Sequence, residues 1–199
     1  MTDALDFFFY IGSTYSYLSV ERVDEAAARA GVPVRWRPFN VRAIMLEQNN
    51  RPFVGKPVKL RYMWRDLERR ARRYGIPFSS IPDYPVDPEG LANRVAILAS
   101  LEGWCPAYTR ATYRGWFLEN KAPGETSHLR TLLSALGKDP AATIERAEGA
   151  EIRNRYDAET EHAKSMGIFG SPTFVWGGEI FWGDDRLDDA LEWARAHPG

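Results

Sequence analysis

The stretch Gly12-Ser13-Thr14-Tyr15-Ser16 holds the residue types in this chain best suited to chemistry. A glycine and a run of hydroxyl groups stand between two different patterns. Residues 5–11 form an apolar run of the length of a strand buried on both faces. After it, Val20, Val23, Ala27 and Ala30 recur at near-helical spacing, and Gly31 offers a stop before Pro33. A strand that turns straight into a helix leaves backbone N–H groups of the first turn unpaired, and the helix dipole adds positive potential there. Such a place holds an anion, with the Ser13 hydroxyl as a further donor. The same residues also read as a plain helix start, with Ser13 or Thr14 as an N-cap that stabilises the helix by about 1 kcal/mol. Local sequence leaves both readings open.

Little else in the chain competes for a chemical role. Cys105 is the single cysteine, has no disulfide or CxxC partner, and reads as a small buried hydrophobe in a cytoplasmic protein. The three histidines lack metal-ligand spacing, so no metal site is expected. With 26 basic and 27 acidic side chains there is no global field to draw nucleic acid or an anionic membrane. No run of about 18 apolar residues is present to span a bilayer. The acidic start, Thr2-Asp3, leads into a strand and does not read as a signal peptide.

The elements that must position Ser13 follow from periodicity. Residues 34–39 alternate apolar and basic side chains as a second strand, giving a βαβ unit whose right-handed crossover makes the strands parallel. Residues 44–58, with Asn49-Asn50-Arg51-Pro52 and Lys56-Pro57, have the composition of a long loop. From there to about residue 166 the pattern is helical. Leu60, Met63, Trp64, Leu67, Ala71 and Tyr74 mark one apolar face, with Arg65, Glu68, Arg69, Arg72 and Arg73 on its solvated side. Further helices start near Leu91, Pro106, Leu129, Asp139-Pro140 and Ile152. Residues 173–176 and 179–182 flank Gly177-Gly178 as a hairpin, and Asp184-Asp185 reads as the cap of a last helix. The order β-α-β, helices, α-β-β-α predicts an α/β thioredoxin-like fold with an all-helical insertion. The expected division is 1–43 with 152–199 as the thioredoxin-like domain, and 44–151 as the insertion.

On four segments the chain resembles 2-hydroxychromene-2-carboxylate isomerase and the kappa-class glutathione transferases, within the DsbA-like branch of thioredoxin folds. These are Ser13-Thr14-Tyr15-Ser16-Tyr17-Leu18, Asn50-Arg51-Pro52 through Lys59-Leu60-Arg61-Tyr62-Met63, Gly167-Ile168-Phe169-Gly170-Ser171-Pro172-Thr173-Phe174, and Phe181-Trp182-Gly183-Asp184-Asp185-Arg186-Leu187. The resemblance implies glutathione as cofactor, with its sulfur facing Ser13 and its backbone pairing like an added strand beside a cis Ser171-Pro172 bond. It places Asn50 and Lys59 near glutathione or substrate, and the Trp182-Gly183-Asp184-Asp185 segment around the γ-glutamyl end. A turn asparagine, a solvated lysine and a helix cap are the structural alternatives for Asn50, Lys59 and Asp185.

Serine at this position cannot take part in thiol–disulfide exchange, but it can stabilise a bound thiolate. Lowering a thiol pKa by about 2 units needs roughly 2.7 kcal/mol. A charge-assisted hydrogen bond of about 1.5–3 kcal/mol and a helix dipole of about 0.3–1 kcal/mol suffice. The implied activity is a glutathione-dependent isomerase acting on a small aromatic compound, with glutathione regenerated, in aromatic catabolism. A kappa-like transferase that conjugates electrophiles is the alternative, and a non-catalytic DsbA-like binding protein is the second. Phe53, Trp64 and Tyr84 are candidates for an apolar substrate wall, and Arg42, Arg51 and Lys59 for a contact to a substrate carboxylate. The resemblance also implies a homodimer. One departure stands out: the family's usual proline after the serine is Thr14 here, a second hydroxyl that would join the thiolate contact or cap the helix.

Overall fold

A computed structural model describes residues 4–198, so Thr2 and Asp3 lie outside the described residues. Strand β1 (Leu5–Phe9) is an interior strand of the sheet. Its continuous apolar run is explained by burial on both sides. Leu5, Phe7 and Phe9 enter one core, and Phe8, followed by Tyr10, enters another. Pairing ends at Phe9, two residues earlier than the apolar run suggests, because Tyr10 and Ile11 already belong to the turn. Helix α1 (Thr14–Ala30) leads to β2 (Val34–Pro38), which pairs parallel with β1. Strands β3 (Thr173–Trp176) and β4 (Glu179–Trp182) form the hairpin around Gly177-Gly178, both with positive φ, and β3 runs antiparallel to β1. The sheet order is β2-β1-β3-β4.

Between β2 and β3 lie α2 (Val41–Glu47), α3 (Pro57–Tyr74), α4 (Leu91–Glu102), α5 (Cys105–Glu119), α6 (Thr126–Ala135), α7 (Pro140–Glu148) and α8 (Ala150–Ser165); α9 (Leu187–Ala196) closes the chain. Asp139 caps α7 by accepting from the Ala142 N–H, with Pro140 at the first position, as the sequence leads one to expect. The loop expected over 44–58 is shorter than its composition implies. The Asn40 side chain accepts from the Ala43 N–H and starts α2, whose Val41 and Ile44 are buried beside Phe8 and Phe39. Seven residues are too few for helical periodicity to show against the prolines and asparagines that follow. Helices α1 and α9 bury Val20, Val23, Leu187 and Leu191 against the Phe7 side of the sheet, and α8 buries Ala163 against the Phe8 side. The first of these cores continues through Met63, Trp64, Leu67, Tyr108 and Tyr113 into the helices, so sheet and helical block share it. Arg65, Arg69, Arg72 and Arg73 are exposed along α3, the solvated face their spacing suggests.

Candidate active site

The turn from β1 to α1 is held by buried side chains of α4 and α5. Asn93 on α4 is fully buried, accepting from the Ile11 N–H and donating to the Ile11 carbonyl, both at 2.8 Å. Its amide also donates to Asp87 Oδ2 at 3.0 Å, and Asp87 in turn accepts from the Ala92 N–H. The Tyr113 hydroxyl lies 2.8 Å from the Tyr10 carbonyl and 3.0 Å from the Ser13 carbonyl. Gly12 has φ of 126°, and a Cβ there would meet the Tyr10 ring at 2.6 Å, so only glycine fits.

Ser13 occupies the N-cap position of α1 but does not cap it: no side-chain oxygen accepts from the first turn. Its Oγ donates instead to the Ser171 carbonyl at 2.8 Å. The capping reading is therefore overturned for its side chain, because a partner 158 residues away outcompetes the local amides. Ser171 is fixed on its other side. Its Oγ accepts from the Tyr10 N–H at 2.9 Å and shares a hydrogen bond with Ser16 Oγ at 2.8 Å. The Ser171-Pro172 bond is cis, as the resemblance implies. The Pro172 carbonyl accepts from the Gly183 N–H at 3.0 Å, whereas the Ser171 N–H has no backbone partner among the described residues.

Thr14 neither caps the helix nor turns to this site. It is buried, and its hydroxyl donates to Met63 Sδ at 3.2 Å, so a packing contact with α3 occupies it.

Asp184 and Asp185 separate sharply. They lie in a short 3-10 turn, Asp184–Arg186, before α9, and no side chain caps α9. The expected capping role is thus absent, because ion pairs hold both carboxylates. Asp185 is exposed and pairs with Arg186 at 3.0 Å. Asp184 is 2% exposed, with Arg70 Nη2 at 2.8 Å from its Oδ2, close in charge but not aligned as a hydrogen bond. Burial pushes the Asp184 carboxyl up to about 7, against the pull of Arg70. Trp182 is half exposed, stands edge-on to Phe169 at 4.8 Å, and covers Gly170, where a Cβ would strike the indole at 2.1 Å.

Ser13, Ser171, Pro172 and Gly183 thus form one connected network, with Trp182 and Asp184 adjoining Gly183 along the chain. Asn50 and Lys59 are not bonded into it. Asn50 is exposed, with its N–H donating to the Met45 carbonyl; exposed Lys59 sits with its Nζ 5.6 Å from the Phe53 ring centre. Phe53, Tyr84 and Trp64 do meet, with Tyr84 edge-on to both at 6.1 and 5.8 Å. Cys105 is buried and its thiol is pushed up to about 11, which suits a core residue. Sequence reasoning missed Asn93, Arg70 and Tyr113. Asn93 alone carried a signal, as a polar residue inside the apolar run Leu91 to Leu98.

The comparisons agree with this architecture. A solved structure of 2-hydroxychromene-2-carboxylate isomerase superimposes with a TM-score of 0.85 at 29% identity, covering 97% of this chain and 94% of that one. The 2-hydroxychromene-2-carboxylate isomerase of Sphingobium xenophagum is 27% identical over 94% of this chain and 96% of its own. Glutathione s-transferase kappa 2 of Caenorhabditis elegans is 25% identical over 83% of this chain and 77% of its own. The relatives are enzymes, and so is this protein. Residues 4–192 match the model of the DSBA-like thioredoxin domain, and the chain belongs to that family.

Proposed function

We propose that the protein is a glutathione-dependent isomerase of the 2-hydroxychromene-2-carboxylate isomerase type, in which Ser13 stabilises the glutathione thiolate. The observation that carries the reading is the open N-terminus of α1, uncapped and flanked by a hydroxyl that sits on a neutral carbonyl. Two relatives of isomerase and glutathione-transferase name support it over most of the chain.

The residues present suit glutathione. Asp184 Oδ2 is buried without an aligned donor, which suits an α-ammonium group. The Ser171 N–H, without a backbone partner among the described residues, suits the backbone of an extended peptide. Trp182 and Gly183 adjoin Asp184 along the chain and are assigned with it to the γ-glutamyl end, Asp185 adds a second carboxylate, and Asn50 and Lys59 are assigned to glutathione or the substrate, the latter against Phe53, Trp64 and Tyr84. When bound, glutathione supplies the nucleophilic thiolate and is released unchanged.

The chain's own residues do the rest. Ser13 exchanges a neutral acceptor, the Ser171 carbonyl, for a charged one. Neutral hydrogen bonds contribute about 0.5–1.5 kcal/mol and those to charged groups about 1.5–3 kcal/mol, so the exchange favours the anion. The Ser171 carbonyl freed by this rotation accepts an amide of the added strand, so no buried acceptor is left unpaired. The amides at the start of α1 supply the remaining positive potential. Aromatic side chains exclude water from the ring system of the substrate.

The test is turnover of 2-hydroxychromene-2-carboxylate with glutathione in catalytic amount. Sustained turnover without thiol loss is expected. Steady thiol consumption with a generic aromatic electrophile, and no turnover of the chromene, would establish the kappa-like transferase instead. We further propose a cytoplasmic homodimer, checked by light scattering. Among the described residues no helix is long and apolar enough to cross a membrane.

A further inference from the structure

A cavity of about 370 Å3 opens where the end of β1, the start of α2, the N-terminal end of α4 and the middle of α8 meet. Tyr10, Asn40, Arg42, Arg94, Arg153 and Tyr156 line it, and Ser13, Ser171 and Asp184 do not. It gathers three guanidinium groups. Arg22, Arg70 and Arg114 are each paired with a carboxylate, whereas Arg42, Arg94 and Arg153 form no ion pair among the described residues.

Two of the three are nevertheless held in place. Arg42 donates to the Val86 carbonyl at 3.1 Å and the Asp87 carbonyl at 3.3 Å. Arg94 donates through Nε to the Ala147 carbonyl at 3.0 Å and through Nη1 to the Glu89 carbonyl at 2.6 Å. Neutral carbonyls fix the geometry of a guanidinium without cancelling its charge, and each fork keeps free N–H groups. Glu89 and Asp157 also border the cavity, so two carboxylates face three guanidinium groups, and neither is paired with them.

The second, independent observation is Tyr156. It is 5% exposed, and its hydroxyl is wholly buried without a hydrogen-bond partner. The phenol end reaches the cavity wall at Gly90. A Cβ built there would lie 3.9 Å from the hydroxyl oxygen and 3.6 Å from Arg94 Nη1. A buried hydroxyl left unpaired is costly unless a ligand completes it. Burial holds it protonated, and therefore a donor. The end of α4 does not carry the site, because Asp87 already occupies the amides of Ala92 and Asn93.

We propose that this cavity binds a small oxyanion, a carboxylate or phosphate group on a small molecule, held by Arg42, Arg94 and Arg153 with the Tyr156 hydroxyl as donor. The site is separate from the Ser13 site and independent of the function proposed for it.

The test is calorimetric titration of the full chain with inorganic phosphate and, separately, with benzoate. Saturable binding of at least one is expected, unaffected by saturating glutathione. Binding of phosphate alone assigns a phosphorylated ligand, and binding of benzoate alone assigns a carboxylate. Tyr156→Phe weakens binding about fivefold or more while leaving the unliganded Tm unchanged or higher, an outcome a structural hydroxyl would not produce. Arg153→Gln, at an exposed side chain, weakens it by a similar factor without loss of fold. Absence of saturable binding of both anions overturns the proposal. So does wild-type affinity in both variants, or displacement of the anion by glutathione.

Discussion

At the N-terminus of α1 the Ser13 hydroxyl turns from its own helix to the Ser171 carbonyl, and the amides it would have capped stay open. Ser13→Ala removes the hydroxyl and leaves that opening, so kcat falls about 100-fold, the equivalent of roughly 2.7 kcal/mol. Glutathione affinity stays within about threefold, and thiolate absorbance of the complex titrates at higher pH. A wild-type kcat would show that the hydroxyl does not activate the thiol. Thr14→Val, by contrast, keeps kcat within about twofold, because that hydroxyl faces Met63. Asp184 carries the pH dependence. Burial raises its carboxyl from 3.8 to about 7, so the folded state prefers it protonated. Its contribution to stability is complete below about pH 4 and is lost as pH rises through about 7. Asp184→Asn flattens that slope in denaturant titrations. An ammonium ligand favours the ionised carboxylate, so glutathione binding between pH 5 and 7 releases protons, measured by calorimetry in buffers of different ionisation enthalpy. Asp184→Asn abolishes the release and weakens glutathione about tenfold, near 1.4 kcal/mol.

Elements matter here mainly through what they hold still. Helix α4 carries no expected site residue, yet its Asn93 grips both polar groups of Ile11 and ties Asp87 to the same point. Asn93→Leu keeps approximate volume and leaves the Ile11 amide and the Asp87 carboxylate short of partners. Unfolding in urea shows a loss of about 2–4 kcal/mol, and kcat declines as the loop before Ser13 loosens. The fine structure of the elements was only partly legible in sequence. The long helices and the hairpin announce themselves by period and glycine turns. Helix α2 does not, since its seven residues sit under loop-like composition. The capping alternative fails at Ser13 and at Asp184 for one reason: an N-cap preference is local, and both side chains have distant partners, Ser171 and Arg70.

For the molecule as a whole, the core that runs from Phe7 and Phe9 through Met63 and Trp64 to Tyr108 and Tyr113 joins sheet and helical block. Calorimetry is therefore expected to record one transition with matching calorimetric and van't Hoff enthalpies, and residues 44–151 alone are not expected to fold. Two resolved transitions would show that the two parts stand independently. The thioredoxin-like order, the helical block and the residue types of the site are determined by the sequence alone, because periodicity, turn glycines and hydroxyl runs are properties of neighbours in the chain. The tertiary structure alone decided which partner each polar group takes. Ser13 meets Ser171 across 158 positions, Asp184 is buried against Arg70, and Arg42, Arg94 and Arg153, without an ion pair among the described residues, line one cavity with Tyr156. Burial and pairing depend on what the fold brings from elsewhere, and no local pattern encodes that.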